Sequence, residues 1–134
     1  MADCLFCSIV EGAIPNHTVY EDEHCLAFLD IYPRSKGHTV VIPKKHATTI
    51  LDLDEESAAA FMPAVQKSMQ RIADVLAPEG FSVGANQGEA GGQEIMHLHM
   101  HIMPRWKGDG GGNMHSIVKA ESDMPVEDVA KLFS

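Results

Sequence analysis

The sequence has no basic run, and its 10 lysines and arginines stand against 19 aspartates and glutamates, for a formal charge of −9. Broad contact with nucleic-acid backbone or an anionic membrane is therefore disfavoured, although a local cradle can still hold a small phosphate ligand. No stretch nears the roughly 18 consecutive apolar residues of a membrane span, and the opening Met-Ala-Asp-Cys lacks the basic and apolar regions of a signal peptide. A cytoplasmic protein is expected. Cysteine is sparse: Cys4, Cys7 and Cys25 form an odd set, which argues against a secreted disulfide framework and leaves metal binding or free thiols. Neither an internal repeat nor a linker interrupts the chain, so 134 residues, 45% of them hydrophobic, are expected to form one domain spanning 1–134.

What is present reads as strands around one long helix. Cys4 and Cys7 make a Cys-x-x-Cys pair, and Ile14-Pro15 ends any short helix that follows it. That spacing alone fits a redox dithiol, half of a zinc site, or two buried thiols. Thr18 to Glu21 and Cys25 to Asp30 read as strands joined by the polar turn Asp22-Glu23, with Cys25 in the core. Gly37 to Pro43, with its β-branched Thr39-Val40-Val41-Ile42, is a third strand, and Phe81 to Asn86 a fourth.

Between them, Asp54 to Ala77 has helical periodicity. Asp54 is the N-cap, Glu55 and Glu56 suit the positive end of the dipole, and Ala58, Phe61, Met62, Val65, Met69, Ile72, Ala73 and Leu76 make a core stripe. Pro63 should remove a hydrogen bond and kink the helix; Pro78 and Gly80 end it. Beyond Arg105, Gly108 to Asn113 is too flexible for a core element, and Pro125 to Phe133 predicts a short helix with proline at its first position.

The fifth strand carries the most unusual feature. After the turn formed by Gly88, Gly91 and Gly92, the histidines His97, His99 and His101 alternate with Leu98, Met100 and Ile102. Alternation of that kind puts three imidazoles on one face of a strand. The row allows a polar sheet face, a zinc site with an open position, a nucleotide-binding face, or a nucleophilic centre. Glycines that can aim several N–H groups into one concavity favour phosphorus chemistry. A histidine nucleophile suits it, because histidine is substantially neutral at cell pH and its bond to phosphorus hydrolyses readily. By themselves, Asp30 reads as a turn residue and His46 as a loop histidine.

His97-Leu-His99-Met-His101-Ile-Met resembles the signature of the histidine-triad (HIT) family. The likeness extends to Cys4-Leu-Phe-Cys-Ser-Ile-Val-Glu-Gly, Ala27-Phe-Leu-Asp-Ile, Gly37-His-Thr-Val-Val-Ile-Pro-Lys-Lys-His and Asn86-Gln-Gly-Glu-Ala-Gly-Gly-Gln. It implies an α+β fold with a five-stranded antiparallel sheet, one long helix and a homodimer that hydrolyses or transfers nucleotidyl groups at the α-phosphate of purine nucleotide conjugates. On that resemblance His99 is the nucleophile, with His101 and His38 completing the catalytic set. Asp30 would accept from the ribose hydroxyls, and Ile31, Asn86, Gly92, Gln93 and Glu94 would join His99 and His101 around the nucleotide. Cys4, Cys7, His46 and His97 would hold a structural zinc ion. Glu94 departs from the phosphoramidase branch of the family, which carries serine there, and this bears on leaving-group handling. A nucleotide-binding regulator with little turnover and a metallohydrolase using all three triad histidines are the competing classes.

Overall fold

The computed structural model describes residues 3–134. In chain order the elements are α1 (Leu5–Val10), β1 (Thr18–Glu21), β2 (Cys25–Leu29), β3 (Thr39–Pro43), α2 (Glu55–Leu76), β4 (Gly80–Gly84), β5 (Met100–Arg105) and α3 (Val126–Lys131), with 3-10 turns at Ile50–Asp52 and Met114–Ser116. The five strands form one antiparallel sheet, as the resemblance implies, and their order is β1-β2-β3-β5-β4. No helix among the described residues is long and apolar enough to cross a membrane.

The sheet separates two apolar layers, and strand alternation decides which residue enters which. Cys25, Ala27, Val41, Leu98, Met100 and Ile102 pack with Phe61, Ala64, Val65 and Ile72 of α2. On the opposite face Leu26, Phe28, Val40 and Ile42 pack with Phe6 and Ile9 of α1. That second layer leaves the sheet partly uncovered, and the candidate site residues lie there.

Helix α2 begins where Asp54 accepts the N–H of Ser57 and ends at Ala77, which is left-handed at φ 48°. The apolar stripe is shifted from the expected one. Phe61, Val65 and Ile72 are buried, but so are Ser57, Ala64 and Ser68, whereas Ala58 and Met62 face outward. Small residues were the ones overlooked, because close approach to the sheet favours them over bulk at those positions. The helix runs unbroken through Pro63, which is exposed, so the carbonyl it leaves without a donor can be hydrated.

Three boundaries also differ. The β5 ladder starts at Met100, not at His97: the N–H of Leu98 is taken instead by the carbonyl of Ala47 at 2.7 Å, outside the sheet. The alternation survives without the ladder, since Leu98 is still buried on the α2 side. Strand β4 stops at Gly84, which lies opposite His101, so Ala85 and Asn86 run past the end of paired β5 into the glycine turn. Pro125 is the N-cap of α3 rather than its first residue.

Candidate functional site

Two clusters share the α1 side of the sheet. In the first, one donor atom from each of Cys4, Cys7, His46 and His97 lies within 4.8 Å of the others. His97 Nε2 is 2.8 Å from the carbonyl oxygen of Pro43, which can only accept, so the proton is on Nε2 and Nδ1 presents a lone pair. That Nδ1 is 3.2 Å from His46 Nδ1, 3.3 Å from Cys4 Sγ and 3.5 Å from Cys7 Sγ, and Cys7 Sγ is 3.3 Å from His46 Nδ1. Tetrahedral ligation at ordinary bond lengths puts two nitrogens about 3.3 Å apart and nitrogen and sulfur about 3.6 Å apart. The donor set therefore fits a four-coordinate ion, with the Pro43 carbonyl fixing the His97 tautomer from behind. Burial pushes the Cys7 thiol up to about 11 and holds His97 below its ordinary value. An ion would reverse the thiol's preference by taking the thiolate.

The second cluster is built on β5, β3 and the turn after β2. His99 Nδ1 lies 2.8 Å from the carbonyl of His97, so it donates there, and Nε2 is left with its lone pair. His38 Nδ1 accepts the backbone N–H of Arg34 at 3.1 Å, which places the His38 proton on Nε2. That proton is donated to His101 Nδ1 at 2.9 Å, and neutral His101 must then carry its own on Nε2. Three backbone and side-chain contacts thus fix three tautomers: a base at His99 Nε2 and a donor at His101 Nε2. The two rings are 5.0 Å apart at 74°.

Electrostatics agree with this assignment. Burial lowers His38, against an opposing pull from Asp30, and burial with the neighbouring histidines pushes His101 down to about 4. Asp30 Oδ2 stands 3.6 Å from His38 Nε2, too far for a hydrogen bond, and its pull is outweighed by the burial that favours the neutral imidazole. A depressed histidine leaves the unfolded chain binding more protons, so the stability held by neutral His101 is complete above about pH 6.5 and is lost as pH falls toward 4. Urea unfolding should show it: parent protein should lose stability across that interval more steeply than His101→Asn, and parallel curves would contradict the buried neutral state.

Asp30 follows β2, with Oδ1 accepting the N–H of Tyr32 at 2.8 Å. One carboxylate oxygen thus makes the turn and the other remains for a ligand. His38, His99, His101, Asp30, Ile31, Asn86, Gly92 and Glu94 all line one cleft of about 920 Å³, alongside Phe6, Ile9 and Phe28. Gln93 does not line it. Its side chain is buried, accepting the N–H of Gly88 at 2.9 Å and donating to the carbonyls of Thr48 and Ile95. It shapes the glycine turn.

The turn itself differs from expectation. Gly88 and Gly92 are left-handed, at φ 75° and 88°, and a side chain on Gly91 would fall 2.3 Å from the Gln87 carbonyl. Yet the N–H groups of Gly91, Gly92 and Gln93 bond back to Gly88 and Glu89 within the turn. Those three amides do not make the phosphate cradle that the glycines suggest, which leaves the histidines and the Asn86 side chain among the donors that line the cleft. The metallohydrolase arrangement is also absent among the described residues: His97, His99 and His101 each direct Nδ1 at a different partner.

Sequence reasoning missed Phe6, whose ring lies 5.1 Å from that of His99, and the backbone of Arg34, Pro43 and Ala47. It also missed that Met114 and Ile117 of the glycine-rich tail close one side of the cleft. Arg105 holds that tail by donating to both Asp109 carboxylate oxygens, Ser82 and the Gly112 carbonyl. The only signal for Phe6 in the sequence was its place inside Cys-x-x-Cys.

A histidine-lined cleft of nucleotide size, on the open face of a five-stranded α+β sheet and beside a Cys2His2 set, defines the class of protein. Residues 11–108 match the HIT domain, and the chain belongs to that family. It is 49% identical over 111 residues to protein hit of Bacillus subtilis, covering 82% of this chain and 77% of the relative. It is 43% identical over 102 residues to an adenosine 5'-monophosphoramidase of Schizosaccharomyces pombe, covering 76% and 74%. A crystal structure of a HIT family protein from Bacillus anthracis superposes with a TM-score of 0.84 at 37% identity, covering 98% of this chain and 92% of that one.

Proposed function

We propose that the protein is a hydrolase or transferase acting at the α-phosphate of purine nucleotide conjugates, either nucleoside phosphoramidates or dinucleoside polyphosphates. The observation that carries this is the bond from His99 Nδ1 to the His97 carbonyl, which leaves Nε2 as a free lone pair beside the His101 donor. In the first step Nε2 attacks phosphorus, the bond from phosphorus to the leaving nitrogen or oxygen breaks, and the leaving group departs with its electron pair and takes a proton from solvent in the open cleft. Water then attacks the nucleotidyl-histidine, breaking the P–N bond and restoring His99. His101 Nε2–H would donate to a non-bridging oxygen throughout, with its tautomer kept by His38. Neutral donors suit a chain of net charge −9, because they favour phosphate without a counter-charge to desolvate.

Glu94 is exposed on the cleft wall. Its carboxylate favours a leaving group that is a basic amine, released neutral and then protonated by solvent, over one that carries further phosphates. The phosphoramidate reading agrees with the S. pombe relative. Turnover of adenosine 5'-phosphoramidates to adenosine monophosphate tests it, with dinucleoside polyphosphates and a nucleoside-free phosphoramidate in parallel. Release of nucleoside monophosphate is expected from the first class fastest; no release from any nucleotide conjugate would leave binding without turnover as the correct reading.

Asp30 is assigned to the ribose. Asp30→Ala should raise KM for the ribonucleotide about tenfold, consistent with a charge-assisted hydrogen bond, and leave a dideoxyribose analogue nearly unchanged. Equal effects on both sugars would remove Asp30 from that role. The reading includes a zinc ion in the Cys4, Cys7, His46, His97 set, a cytoplasmic site of action and a homodimer. The dimer is supported by the unpaired edge of β4 and by the outward Met62 and Val75 of α2.

A further inference from the structure

Phe6 lies between Cys4 and Cys7, so the short helix that supplies both sulfurs also supplies the ring against His99. It is buried, and its ring–ring contacts are close to perpendicular: 5.1 Å and 82° to His99, 5.9 Å and 76° to His97, 5.5 Å and 75° to Phe28. Helix α1 has only six residues, too few to hold itself by backbone bonding alone. Its place depends on the packing of Phe6 and Ile9 against Leu26, Phe28, Val40 and Ile42, and on what Cys4 and Cys7 are bonded to.

His99 is held from two directions, and both lead to the same four donors. Its Nδ1 donates to the carbonyl of His97, whose own ring belongs to the set. Its ring meets Phe6, whose helix is anchored through Cys4 and Cys7. One hydrogen bond fixes the direction of one ring atom. Packing against the apolar Phe6 ring restricts rotation of the His99 ring, and a rotated ring would give up the His97 carbonyl with no polar partner on the Phe6 side.

We propose that Phe6 is a positioning residue that couples occupancy of the Cys4, Cys7, His46, His97 set to the orientation and tautomer of His99. The proposal rests on reading that set as a metal site and His99 as the nucleophile. Metal in the set fixes α1 and the His97 carbonyl together, and Phe6 converts that into a nucleophile with its lone pair facing the cleft. Loss of the metal loosens α1, frees the His99 ring and slows transfer, while the sheet and the cleft persist. A misplacement of about 1 Å at a reacting group can lower a rate on the order of a hundredfold, so a modest loosening suffices.

The test is the nitrogen-15 imidazole spectrum of ligand-free protein, with metal content and single-turnover nucleotidyl transfer at saturating adenosine 5'-phosphoramidate measured on the same samples. Zinc-loaded parent should show His99 as one tautomer, protonated on Nδ1. Phe6→Leu, which keeps apolar volume but loses the ring edge, should retain about one zinc per chain and show averaged tautomers, with transfer slowed at least about tenfold. Chelated parent should show the same averaging with Phe6 intact.

Retention of the single tautomer and of a rate within about twofold of the parent, in either sample, overturns the proposal. So does global unfolding of both, which would show that the ring and the metal act on the whole fold and not on His99. If His99 is not the nucleophile, the loaded parent forms no adduct while the tautomer comparison still reads out, so the two failures are distinguishable.

Discussion

His99→Ala is expected to remove turnover and to spare nucleotide binding. The nucleophile cannot be replaced by its neighbours, because His101 Nδ1 is occupied by His38 and His97 is turned into the Cys2His2 set. A loss of about a thousandfold or more in kcat is expected, since removing a nucleophile commonly costs that much or more. The Kd for nucleoside monophosphate should change by less than about threefold, as Asp30 and His101 still line the cleft. Activity within about tenfold of the parent would show that phosphorus is attacked by something other than His99, direct attack by water being the first alternative.

Replacing Cys4 and Cys7 with serine has the largest expected effect on stability. Four donors at tetrahedral separations tie the start of the chain to the loop after β3 and to the histidine row. Structural zinc in small domains binds with roughly 10–16 kcal/mol of apparent free energy, and each kcal/mol is worth about 3–5 °C in a domain of this size. Even if a third of that energy is coupled to folding, the melting temperature of Cys4→Ser/Cys7→Ser should fall by about 10 °C or more, with metal content dropping from about one per chain to near none. A melting temperature within about 2 °C of the parent would mean that the four residues are packed side chains with no ion to hold.

Much of this was legible in the residues, for reasons that differ from place to place. The histidine row announced its shared face because strand geometry has a period of two, and that held even where the ladder hydrogen bonds do not. β3 was legible because its residues are buried on both sides and β-branched. The α2 stripe was only partly so: periodicity counts apolar residues, whereas Ser57, Ala64 and Ser68 are inside on account of their size.

The site's finer chemistry was not legible at all, because it is carried by backbone. The carbonyls of Pro43 and His97 and the N–H of Arg34 decide where three histidines keep their protons. Any residue type has those groups, so no side-chain pattern marks them. The glycine turn misled in the same way: its glycines satisfy left-handed angles and a close approach, and its amides bond to one another. Gln93 was grouped with ligand residues by likeness, and its buried amide instead braces Gly88, Thr48 and Ile95.

The central claim, that His99 Nε2 forms a bond to phosphorus, is tested most directly by intact and peptide mass measurement after rapid quenching with a slow adenosine phosphoramidate. One added adenylate per chain is expected, lost in acid as a phosphorus–nitrogen bond should be, and assigned to His99 rather than His97 or His101 by fragmentation of the peptide that carries all three. Rapid turnover with no adduct at any quench time, or an adduct on His101 or His97, would contradict it.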